Sequence, residues 1–198
     1  MAERRTKERA VLLIGEEGSL AWLQRALAEE GYAARLHRPA WREGGWQGAL
    51  YRAREEYCRL LSAHDGAFLL GQSAGAALAL VLAQRHPAWG VACLSAPYCL
   101  SARARLGLCE GGLGRKRALG GLLRAAREGM YGVECPILAA QSASDRCLAR
   151  TSAQRLLSAS GAQDRRLVLL RESGHLLTDG PERALLLSAL MAFFRDNS

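Results

Sequence analysis

Short unbroken apolar runs recur along the chain, and most end at a glycine or polar loop that opens a helical stretch. Ala10–Ile14 is the first, ending at Gly15, and reads as a strand buried on both faces. After it Leu20, Trp22, Leu23 and Leu27 fall on one helical face, with Ser19 as the expected cap and Gly31 as the stop. Tyr32–Leu36 predicts a second strand, 41–48 a glycine-containing loop, and Ala49–Ala63 a helix. Gly66–Leu70 predicts a strand, Ala74–Gln84 a helix ended by His86-Pro87, and Gly90–Ser95 another strand. Beyond an interruption, Pro136–Ala140 and Arg166–Leu170 predict strands, with Thr151–Ser160 helical between them. Asp179-Gly-Pro-Glu182 has the form of a capping box opening a last helix through Phe194.

Strand and helix alternate almost throughout, so the predicted fold class is α/β. The expected core is a mostly parallel sheet of about six strands with helices on both faces. Ligands of such sheets sit at the carboxyl ends of the strands. The alternation breaks only at 101–132, after the fourth strand, where glycine and arginine dominate. Within it 115–128 predicts a basic amphipathic helix, with Leu119, Leu122 and Leu123 as its apolar side. Residues 1–9 read as a flexible N-terminus and 10–198 as a single domain without repeats.

The formal net charge of +8 raises the question of nucleic acid. The basic residues are almost all arginine, Lys7 and Lys116 excepted, and the few aromatics are not interleaved with them. That composition predicts a basic soluble surface and no nucleic-acid site. The six cysteines, Cys58, Cys93, Cys99, Cys109, Cys135 and Cys147, form no C-x-x-C pair and match no zinc spacing. No metal and no organic cofactor are expected. Ala10–Ile14 is too short for a signal-peptide core, and no run approaches the ~20 apolar residues of a membrane span. The expectation is a cytoplasmic protein with reduced thiols.

The candidate chemistry centres on Gly71-Gln72-Ser73-Ala74-Gly75, which lies between a predicted buried strand and a predicted buried helix. That context predicts a sharp, strained turn with Ser73 at its apex and glycines where a Cβ would collide. The Ala74 amide, at a helix N-terminus, is then a candidate oxyanion donor. A serine hydroxyl needs a general base, and the base needs an orienting carboxylate. His175, in the loop beyond the last strand, falls on the same sheet edge as Ser73, with His37 as the alternative. Asp145 is the only carboxylate in the loop after the Pro136–Ala140 strand. Asp164 precedes a strand, which puts it on the opposite edge, and Asp179 is better explained as a helix cap. A second oxyanion donor belongs in the loop after the first strand, where the Glu16 amide is the candidate.

At these residues the chain resembles the α/β-hydrolase superfamily. The likeness is to small bacterial carboxylesterases and the lysophospholipase or serine-aminopeptidase-like hydrolases around them. Val11–Gly15 is similar to that group's first common strand, Gly71–Gly75 to its nucleophile elbow, and Ser173-Gly-His175 to its histidine loop. The resemblance implies hydrolysis of a small acyl ester or thioester through Ser73, Asp145 and His175, with 101–132 as a reduced cap. Ile14 stands where the family usually has histidine, and Glu16 where it has an apolar or aromatic residue. A carboxylate beside a developing oxyanion repels it by ~1–4 kcal/mol, depending on local dielectric. Glu16 is therefore expected to turn outward or to pair with an arginine such as Arg103 or Arg105. Three alternatives stay open: a thioesterase or peptidase on the same residues, a catalytically weak binding protein, and an α/β protein in which Gly71–Gly75 merely packs.

Overall fold

A computed structural model of the protein describes residues 9–105 and 116–198. The N-terminal residues 1–8 and the 106–115 part of the insertion lie outside them. Six strands form one sheet: β1 (Arg9–Ile14), β2 (Tyr32–His37), β3 (Ala67–Gln72), β4 (Gly90–Leu94), β5 (Ile137–Ser142) and β6 (Arg165–Leu170). The order is β2-β1-β3-β4-β5-β6, and every pairing is parallel. β1 begins at Arg9, which pairs with Tyr32, so the ordered sheet takes in the last residue expected to be flexible.

Period-two alternation divides each apolar run between two cores. Leu12, Ile14, Leu69, Val91 and Cys93 face one side, beneath α2 (Gly45–Ala63), α3 (Ala74–Ala83), α5 (Lys116–Glu128) and α6 (Ser152–Ala159). Val11, Leu13, Phe68, Leu70 and Leu94 face the other, beneath α1 (Glu17–Glu29) and α7 (Arg183–Asp196). On that side the Phe68 and Phe194 rings lie 4.6 Å apart in a tilted pair. Both sheet faces are covered, which is why the strands read as continuous hydrophobic runs rather than alternating ones.

Three helix starts differ from expectation. Helix α1 begins at Glu17 with Glu16 as its N-cap, so Ser19 lies inside the helix rather than capping it. The chain turns directly after Gly15, where a Cβ would stand 2.7 Å from Leu20, and no room is left for a longer lead. Helix α2 starts four residues before the predicted Ala49, at Gly45, after a left-handed Gly44 (φ 73°). The Arg52 guanidinium stabilises that start by donating to the carbonyls of Ala40 and Glu43 (2.6 and 2.9 Å). Helix α7 has Glu182 at its N-cap with no side-chain capping bond, so the predicted Asp179–Glu182 box does not form. Asp179 ends a separate 3₁₀ turn, Leu177–Asp179, and the Glu182 carboxylate is engaged elsewhere.

The described part of the insertion forms α4 (Ala102–Arg105) and α5, and α5 packs against α3 and α2. Leu119, Leu122 and Leu123 are buried there with α3 in the same core, as the amphipathic pattern requires. No helix among the described residues is long and apolar enough to cross a membrane.

Candidate active site

Ser73 follows β3 directly and has φ 54° and ψ −123°, a conformation costly for any residue with a Cβ. Its neighbours impose it. The Ser73 amide donates to the Leu94 carbonyl (2.9 Å), and the Ser73 carbonyl accepts from the Ala76 amide (3.0 Å). The turn between strand and helix is so tight that a Cβ on Gly71 would stand 2.4 Å from the Gly75 carbonyl oxygen. One on Gly75 would stand 2.0 Å from the Ile14 carbonyl oxygen. These two glycines let α3 close onto β3 and onto the end of β1. The same contact brings the end of β1 and the Gly15 amide against the first turn of α3.

The loops after β5 and β6 meet this turn. Ser73 Oγ lies 2.9 Å from His175 Nε2, and His175 Nδ1 lies 2.8 Å from Asp145 Oδ2. The other oxygen, Oδ1, accepts from the amides of Cys147 (2.7 Å) and Leu148 (3.1 Å). The Asp145 side chain is fully buried (0% exposed), and its hydrogen bonds compensate the charge. The His175 side chain keeps 15% exposure, so the imidazole is reachable from solvent. An Nδ1–H donated to Asp145 leaves the Nε2 lone pair facing the serine hydroxyl. The arrangement can accept the serine proton and stabilise the resulting imidazolium.

Residues that sequence reasoning passed over hold these loops in place. Gln141 donates to the Ala149 carbonyl (2.8 Å) and accepts from the Ala153 amide (2.9 Å), bracing the loop that carries Asp145. Ser142 Oγ donates to the Ser173 carbonyl, and Ser144 Oγ donates to the Arg171 carbonyl (2.6 Å), joining that loop to the histidine loop. The Glu182 carboxylate accepts from the amides of Arg171, Glu172 and Ser173 (each 2.9 Å) and from Ser173 Oγ (2.8 Å). The Arg171 amide in particular, with the Ser173 and Glu172 donors, holds the Glu182 carboxyl down at about 2 against partial desolvation. Thr178 Oγ1 donates to buried Gln72 Oε1 (2.8 Å), and Trp22 Nε1 donates to the Thr178 carbonyl (2.7 Å). The only signal in the chain was the polar character of Gln72, Gln141 and Ser142 at strand ends that are otherwise apolar. Ser95, at the end of β4, is buried and, with Ser73, has positive φ (46°) without being glycine; nothing in the sequence marks it.

The other candidates lie apart from this cluster. His37 ends β2, on the far side of β1 from β3; burial lowers its pKa, and its charged neighbours are Glu56 and Arg52. Asp164 sits before β6, where hydrogen bonds from Arg166 (2.7 Å) hold its carboxyl below the usual range. The Glu16 side chain is exposed, and so is Arg103; the Arg105 side chain is outside the described residues.

No protein-family model matches the chain, and no curated protein sequence matches it. Solved structures do. One of the metagenome-derived lipolytic enzymes LipS and LipT superposes with a TM-score of 0.85 at 19% identity, over 96% of this chain and 94% of that one. The chain has the α/β-hydrolase fold. The monoacylglycerol lipase of Paleococcus ferrophilus shares this fold with a TM-score of 0.76 at 14% identity, over 96% of this chain and 95% of its own. Est1E from Butyrivibrio proteoclasticus gives 0.73 at 16%, over 99% and 90%. Within the α/β-hydrolase fold of this chain, the elbow after β3 and the loops after β5 and β6 converge at one edge of the sheet.

Proposed function

We propose that the protein is a serine hydrolase that cleaves carboxylic esters through an acyl-enzyme. The observation that carries this reading is the line from Ser73 Oγ to His175 Nε2 to Asp145, at 2.9 and 2.8 Å, beginning on a strained elbow. Lipolytic enzymes and esterases among the structural neighbours support it.

In this reading Ser73 Oγ attacks the acyl carbon while its proton passes to His175 Nε2. Asp145 stabilises the imidazolium across Nδ1. The amides of Ala74 and Glu16 receive the negative charge on the carbonyl oxygen. Collapse of the intermediate breaks the acyl–oxygen bond, and His175 returns the proton to the leaving alcohol. Water then attacks the acyl-enzyme by the same route, releasing the acid and restoring Ser73. The Glu16 side chain is exposed, which supports the use of its backbone amide, rather than its carboxylate, toward the oxyanion. Of the insertion expected to serve as a cap, the described helix α5 is tied to the loop after β4 by Arg127, which donates to the Tyr98 carbonyl (2.8 Å).

The test is hydrolysis of short p-nitrophenyl esters by the wild type and by Ser73→Ala, alongside acyl-CoA thioesters. The reading predicts ester turnover that falls by ~10³-fold or more in the variant, and lower kcat/KM on thioesters. Equal rates in the two proteins would overturn it, and a preference for thioesters would replace ester with thioester as substrate.

A further inference from the structure

The spacing of the cysteines in the chain shows no metal site, but folding brings Cys147 to the edge where Asp145 and His175 meet. One carboxylate oxygen of Asp145, the Cys147 sulfur and one ring nitrogen of His175 all lie within 4.8 Å of one another. We propose that these three side chains form a site for a thiophilic divalent cation of the Zn²⁺ class, and that its occupation switches the hydrolase off. The switch rests on the proposed use of His175 as the base; the binding itself does not.

The donor set selects the ion. Sulfur, imidazole nitrogen and one carboxylate oxygen suit Zn²⁺, whereas Mg²⁺ and Ca²⁺ require mostly oxygen ligands. Tetrahedral zinc with ordinary bond lengths separates such ligand atoms by roughly 3.3–3.6 Å. The Asp145–His175 contact of 2.8 Å must therefore open slightly, and any separation near the 4.8 Å bound must close. Both are side-chain adjustments on braced loops. Asp145 Oδ1 is already oriented by the Cys147 and Leu148 amides, the kind of supporting contact that fixes a metal-binding carboxylate. Oδ2 is the oxygen on the imidazole side. Three protein ligands leave a fourth position for water, and the partly exposed imidazole offers a route in.

The consequence follows from proton positions. A cation on Nδ1 replaces the hydrogen bond to Asp145, and the displaced ring proton resides on Nε2. Nε2 then carries a hydrogen toward Ser73 and has no lone pair for the serine proton. A cation on Nε2 would occupy that lone pair directly. In either case the Cys147 thiol proton leaves to the buffer as the sulfur–metal bond forms. The competing role for Cys147 is simple packing, since it also touches the core beneath α6.

The experiment is a Co²⁺ titration of full-length Ser73→Ala in a chelator-free buffer with a phosphine reductant. Expected is a near-ultraviolet thiolate-to-cobalt band that saturates and is absent from Ser73→Ala/Cys147→Ser, with folding of both checked by circular dichroism. In parallel, micromolar Zn²⁺ should lower ester hydrolysis by wild type at least ~10-fold, reversibly on chelation, with Cys147→Ser, judged against its own metal-free rate, losing under ~2-fold. No band, or a band unchanged in the double variant, overturns the site. A Cys147-dependent band in a protein whose wild type hydrolyses no ester would overturn the hydrolase reading and leave the metal site standing. Ester hydrolysis without the band would do the reverse.

Discussion

The Glu182 carboxylate accepts hydrogen bonds from both the amide and the hydroxyl of Ser173, two residues before His175. Helix α7 thus begins with a side chain that reaches back to the histidine loop rather than capping its own first turn. Glu182→Gln replaces one acceptor oxygen by a donor that faces amides. We expect kcat on short esters to fall ~10-fold with little change in KM, because the His175 imidazole is held less closely to Ser73. An unchanged kcat would show that Ser142 and Ser144 position the loop without it.

The same carboxylate predicts a pH dependence. Its pKa is about 2 in the folded protein against an ordinary 4.5, so it binds protons less readily when folded. The stabilisation it brings is complete above the unfolded value and disappears as pH falls through the folded one. The Tm difference between wild type and Glu182→Gln should be constant at neutral pH and close between about pH 4.5 and 2. It should also be modest, since these hydrogen bonds lie at the surface and solvent screens the charge. A difference that does not change over that interval would refute the assignment.

Much of this arrangement was readable in the chain because the strands are buried on both faces. Ala10–Ile14 and Phe68–Leu70 are short apolar runs, the first between Arg9 and Gly15 and the second between Gly66 and Gly71, and that length and punctuation favour strand over helix. Ser73 was readable because its strain requires glycines on both sides. Glu182 was not: Asp179-Gly-Pro-Glu182 satisfies a local capping rule, while the amides of 171–173, distant in sequence, compete for the carboxylate and win. The early start of α2 was hidden because Gly44 and Gly45 signal a loop, and only the distant Arg52 reveals that they begin a helix. Cys147 was passed over because spacing between cysteines does not mark it: its partners are Asp145, two residues earlier, and the remote His175.

Two glycine substitutions should separate close packing from simple flexibility. Gly75→Ala puts a methyl 2.0 Å from the Ile14 carbonyl oxygen, so α3 and β1 must part. A loss of about 2–3 kcal/mol in urea unfolding is expected, with activity falling further as the elbow shifts. Gly120 lies on the exposed face of α5, and a methyl added there would meet nothing within 4 Å, so Gly120→Ala should stabilise by about 0.5–1 kcal/mol. The opposite order would place the tight contact elsewhere.

The strain at Ser73 has a thermodynamic signature. Ser73→Gly removes the Cβ and the cost of φ 54°, while Ser73→Ala removes only the hydroxyl. Both should be inactive, but the glycine variant should be the more stable of the two by about 1 kcal/mol, or roughly 2–4 °C in Tm. Equal Tm values would mean that the turn is not strained.

The most direct test is intact-mass and peptide mapping after exposure to a fluorophosphonate, comparing wild type with Ser73→Ala, His175→Ala and Asp145→Asn. Ser73 should carry the adduct in the wild type, Ser73→Ala should carry none, and the other two variants should label ~10³-fold more slowly or worse. A wild type that stays unlabelled, or that labels at another residue, would contradict the assignment of Ser73 as an activated nucleophile.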